Sequence, residues 1–104
     1  MYSDEWQKKG YRFETRIPVS NSIYYKHVYD ENDTIVGVII DFEYADDFHY
    51  ELMANDWQKF CVKYLETGDE RLAFQQFIEK SNMTFAFENA LEQANIPFKK
   101  IAFY

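Results

Sequence analysis

Apolar residues recur at every second position in several runs between Tyr11 and Met53 and at helical spacing from Trp57 to Ala94. The stretch from Thr34 to Tyr44, TIVGVIIDFEY, is the most apolar and β-branched run. Val36, Val38, Ile40, Phe42 and Tyr44 fall on one face at period two. Ile35 and Ile39 make the second face partly apolar too, as expected of a strand covered on both sides, and this run is predicted as the central strand.

Upstream, Tyr11, Phe13, Thr15, Ile17 and Val19 alternate with Arg12, Glu14 and Arg16, which predicts a half-exposed strand ending near Pro18. Ser20-Asn21-Ser22 is turn chemistry, and Ile23 to Tyr29 resumes strand composition. Asp30-Glu31-Asn32-Asp33 suits a four-residue hairpin loop into the central strand. After Ala45-Asp46-Asp47, a short strand is expected at Phe48 to Met53, with Phe48, Tyr50 and Leu52 alternating against an outward-facing His49 and Glu51. The first ten residues are read as a loosely held arm or a short helical turn.

Helical spacing then takes over. Trp57, Phe60, Cys61, Tyr64 and Leu65 share a stripe, with Asn55 as the expected N-cap and Gly68 as the stop. Asp69 is placed to cap a second helix reaching about Lys80. Residues 83 to 94 predict a third, with an exit at Asn95 and Pro97. Phe98 to Phe103 reads as a last strand. The order β-β-β-(β)-α-α-α-β predicts one α+β domain over residues 1–104, an antiparallel sheet of four or five strands with helices on one face.

Composition sharpens this picture. Of 104 residues, 47% are hydrophobic and 20% aromatic, which excludes a disordered or low-complexity chain. Nine Tyr, ten Phe and two Trp are more rings than so small a core readily hides, so some are expected at an interface. A single Cys closes no internal disulfide and fits a reducing compartment, which points to the cytoplasm. No signal peptide or transmembrane run is read.

The net charge of −7 is unevenly placed. No Lys or Arg occurs between Lys26 and Lys59, yet that interval holds Asp30, Glu31, Asp33, Asp41, Glu43, Asp46, Asp47, Glu51 and Asp56, nine of the eighteen acids. Such a local excess disfavours direct nucleic-acid binding, where Lys and Arg supply the affinity, and favours a basic protein surface as partner.

Motifs for other chemistries are missing. Three isolated Gly make neither a phosphate loop nor a dinucleotide fingerprint. One Cys and two His fall short of a structural zinc set, and the acids match no calcium loop, so neither metal nor cofactor is expected. Cys61 lies on an apolar helix stripe, where a thiol serves as a small hydrophobe rather than a nucleophile.

Together these features predict a non-enzymatic interaction module. Asp30, Glu31, Asp33, Asp41, Glu43, Asp46, Asp47 and Glu51, flanked by Tyr24 and Tyr29, would dock on a basic site of a partner such as a nucleic-acid enzyme and block it. Immunity proteins of nuclease toxins and phage-encoded inhibitors act this way as classes, although no motif ties the chain to either. The alternative is a small enzyme or ligand-binding domain with a pocket between sheet and helices, carrying His27, His49 or a carboxylate pair. Edge-strand pairing into a homodimer is compatible with both.

Overall fold

The computed structural model describes residues 1–20, 22–43, 48–66, 68–81 and 84–102. It contains α1 (Tyr2–Lys8), β1 (Arg12–Phe13), β2 (Ile17–Ser20), β3 (Ile23–Tyr29), β4 (Ile35–Phe42), β5 (Phe48–Met53), α2 (Ala54–Tyr64), α3 (Glu70–Ser81), α4 (Thr84–Gln93) and β6 (Lys99–Ala102). Every strand pairing is antiparallel, in the order β1-β3-β4-β5-β6, with β2 also on β3. The α+β class is as expected, with six strands where four or five were predicted.

The extra strand comes from a break in the first one. Phe13 lies opposite Val28 but Ile17 lies opposite Tyr25, so the register slips by one residue across positions 14–16. A slip of one residue turns side chains to the other face. Phe13 therefore packs with Trp6, Val28 and Ile39, whereas Ile17 and Val19 join the main core. The single alternating face predicted for residues 11–19 is thus divided between two faces. Pro18 sits inside β2, tolerated because that strand is an edge.

A bulge makes the same correction in β4. Val28 pairs with Gly37 and Tyr29 with Ile35, which leaves Val36 between them. Val36 consequently packs against the Trp6 cluster and not beside Val38. Tyr44, assigned to the same strand, lies outside the described residues.

The principal core joins Tyr25, Val38, Ile40, Phe42, Phe48, Tyr50 and Leu52 of the sheet to Trp57 and Phe60 of α2, Phe74 and Ile78 of α3, and Phe87 and Leu91 of α4. Phe60 sits at its centre, with Phe87 at 5.0 Å and Phe77 at 5.2 Å between ring centroids. The opposite face carries a smaller core, closed by α1. Trp6 is 3% exposed and seals it, so of the two alternatives for the N-terminal segment the helical one forms, over residues 2–8, and it is docked on the sheet.

Two helix boundaries differ from expectation. Met53, not Asn55, is the N-cap of α2, because β5 runs directly into the helix. The helix ends at Leu65 in extended conformation, without a left-handed Gly68. Asp69 does cap α3, its Oδ1 accepting the Leu72 N–H at 3.0 Å. Asn95 leaves α4 with φ +56, and Ile96 N–H closes on Leu91 O at 2.9 Å, the expected left-handed exit. The hairpin loop also forms as predicted, with Asp30 Oδ1 accepting the N–H groups of Asn32 and Thr34.

Both sheet edges carry cations. Arg12 and Arg16 flank β1 and β2, and Lys99 and Lys100 open β6, the kind of charge that discourages strand addition. No described helix is long and apolar enough to cross a membrane.

Candidate functional site

β5 lies between β4 and β6, and its alternation places Phe48, Tyr50 and Leu52 toward the helical layer and His49 and Glu51 toward α1, so both of its faces are covered. His49 is 8% exposed and Glu51 fully buried. This overturns the expectation that they face outward. Alternation names the face; it does not say that α1 will cover it.

Glu51 is held by three donors. Ser3 N–H donates to Oε1 at 3.1 Å and Ser3 Oγ–H to Oε2 at 2.6 Å, while His49 Nε2 lies 2.8 Å from Oε2. Burial alone raises the Glu51 pKa, but the His49 and Ser3 hydrogen bonds outweigh it and hold the carboxylate below its ordinary range. An ionised Glu51 fixes the tautomer, since it can only accept and His49 Nε2 must donate. The other ring nitrogen, Nδ1, stands 3.7 Å from Asp41 Oδ1.

Asp41 responds in the opposite sense. Burial raises its pKa, and the charges of Lys26, His49 and Arg16 do not offset that. Two carboxylates on adjacent strands are thus pushed apart in affinity for a proton, the arrangement that separates roles in acid–base sites.

Asp41 and His49 open into a groove of about 510 Å³ between α1, β1 and the sheet. Ile39 and Phe13 supply apolar surface, Gln7 and Ser3 the α1 side, and Lys26 and Glu43 the remaining polar groups. Lys26 Nζ lies 5.8 Å from the Phe13 ring. Among the described residues, no group of three or more His, Cys, Asp or Glu is arranged to hold a metal ion.

Among the described residues, the acids proposed from sequence do not form one surface. Asp41, Glu43 and Glu51 gather at or beneath the groove, toward the end of β4. Asp30, Glu31 and Asp33 occupy the hairpin at its other end, on the order of 20 Å away along the strand. Asp30 is used inside its turn, and Asp33 bridges Arg12 at 3.1 Å. Glu43 is bound by Arg16. Tyr24 lies under the Arg16 guanidinium at 4.1 Å, and Tyr29 under that of Arg12 at 4.3 Å. Glu51 has no exposed surface to offer a partner. Asp46 and Asp47 lie outside the described residues.

Ser3, Gln7, Phe13 and Lys26 join the groove without having been singled out in the sequence. One signal did exist for α1: Gly37 is an isolated glycine inside a strand, a mark of close approach by another group. No protein-family model, no curated protein and no solved structure matches this chain.

Proposed function

We propose that the protein is a small interaction module that takes a basic side chain of a partner protein into the groove and thereby blocks a basic site, such as the nucleic-acid-binding surface of an enzyme. The observation carrying this reading is Asp41. It is a carboxylate in an open groove whose pKa is raised by burial, with its local cations insufficient to restore it. A guanidinium or ammonium brought in from outside would supply that charge and gain a charge-assisted hydrogen bond. Phe13 and Ile39 offer apolar surface for the aliphatic stem, and exposed Glu31 adds to the acidic field that speeds encounter.

Affinity capture from a cell lysate at low and raised salt, using wild type and Asp41→Lys side by side, tests it. One dominant basic protein that is lost with salt and with Asp41→Lys supports the reading. Equal capture by both forms sinks it.

A second reading rests on a different observation. Glu51 orients His49 through Nε2, and His49 and Asp41 line the groove together, a pairing of imidazole and carboxylate that suits acid–base chemistry on a small ligand. The two readings separate at His49→Gln: small-ligand chemistry is lost, whereas capture of a protein partner through Asp41 persists.

A further inference from the structure

On the face away from the groove, both ring nitrogens of His27 meet carboxylates. Nδ1 lies 2.6 Å from Glu14 Oε1, in the segment between β1 and β2, and Nε2 lies 2.7 Å from Glu70 Oε2, on the first residue of α3. An ionised carboxylate only accepts, and a neutral imidazole has one N–H to give. Both contacts are hydrogen bonds to carboxylates at the same time only when the ring carries two protons.

The surroundings favour that state. His27 N–H also donates to Glu14 Oε1 at 2.8 Å, and Glu14 N–H donates to His27 O at 3.1 Å, so Glu14 is fixed in place. From the same strand, the Tyr29 hydroxyl donates to Glu14 Oε2 at 3.3 Å, with Arg12 over its ring. The Tyr25 ring meets the imidazole edge-on at 5.3 Å, and its hydroxyl reaches Glu70. Asp69 adds negative charge from the α3 side. From α2, Cys61 lies in the field of Glu70, and Trp57 helps hold Glu70 ionised although its Nε1 makes no hydrogen bond of normal geometry. Desolvation opposes a charge on His27, yet the hydrogen bonds and charges of Glu70 and Glu14 prevail and its pKa is raised.

We propose that His27 is a proton-operated latch, tying the first turn of α3 and the 14–16 crossover to β3 while it is imidazolium and releasing that turn when the ring loses a proton. On release, one of the two carboxylates faces a lone pair in a site where the imidazole is only 12% exposed. The start of α3 keeps the Asp69 cap, the bond from Arg71 Nε to Pro18 O at 2.7 Å and the reach of Tyr25 to Glu70, but loses one of its ties to β3. Phe74 and Ile78 keep the rest of the helix on the core, so the opening is confined to the first turn.

The test is a ring-nitrogen NMR titration of the whole protein from about pH 5 to about pH 9, together with amide exchange corrected for intrinsic rate. His27 is expected to titrate above its ordinary 6.5. Protection at Ala73 and Phe74 should fall about tenfold across that midpoint while β4 stays constant. In Glu70→Gln the midpoint should move down and the pH dependence of α3 shrink, a readout that does not need a His27 variant to fold. A midpoint at or below 6.5, or α3 protection that ignores the midpoint, overturns the proposal.

Discussion

The indole of Trp6 occupies the space where a side chain at Gly37 would begin. A Cβ at that position would overlap Cζ2 and Cη2 of the Trp6 indole and lie 3.1 Å from Leu52 O. Trp6 is buried and anchors α1, so it cannot simply swing aside. Gly37→Ala should therefore cost about 1–3 kcal/mol by overpacking. Chemical denaturation measures the loss, and a red shift of tryptophan emission would report that α1 has lifted. Unchanged stability would mean that the helix tolerates displacement.

Since α1 brings Ser3 to Glu51, removing the hydroxyl is expected to leave a buried carboxylate short of a donor. Ser3→Ala should cost about 1–2 kcal/mol. A variant as stable as wild type would show that Glu51 finds another donor.

The acid limb of stability carries the same pair. The folded pKa of Glu51 lies below its ordinary 4.5, so its contribution is complete above that value and disappears as pH falls through the folded one. Glu51→Gln should destabilise at neutral pH and flatten the slope on the acid side. Denaturation midpoints of the two proteins measured across the acid range should converge; parallel curves would remove Glu51 from the account.

For Cys61, burial pushes the thiol up to about 12, with the charge of Glu70 acting in the same direction. Very little thiolate exists near neutrality, so a thiol reagent should label the native protein slowly and the denatured protein fast. Rapid native labelling would contradict the packing of α2 against the core.

Phe60→Ala should be the costliest of these changes, about 3–5 kcal/mol, because a fully buried ring among Trp57, Phe74, Phe77 and Phe87 would leave a cavity. A calorimetric transition that shifts by only a few degrees would place the centre of the core elsewhere.

These sites differ in how far the chain itself announces them. Alternation and capping are local signals, so β4, α3 and α4 follow from Val38, Ile40 and Phe42, from the Asp69 cap, and from the Asn95 exit. The slip at residues 14–16 and the bulge at Val36 depend on how a partner strand aligns, which periodicity within one strand does not contain. The groove is less legible still. Ser3 and Glu51 meet across 48 positions, and only the landing of Trp6 on Gly37 brings them together. The sequence offers His27 as a candidate titratable residue but not its two carboxylate partners, because Glu14 and Glu70 reach it from separate elements.

The order of elements also bears on how the protein is made. Strands β2 to β5 pair in chain order, with β1 also on β3, and all three helices that cover the larger apolar face of this sheet come later in the chain. During synthesis, Tyr25, Val38, Ile40, Phe42 and Tyr50 leave the ribosome before Phe60, Phe74 or Phe87 exists to meet them. β6 can join β5 only after α4 has been made. A nascent sheet with one bare aromatic face and an open β5 edge is a substrate for holding chaperones and a hazard for association at high expression, so translation speed across α2 to α4 becomes a determinant of yield.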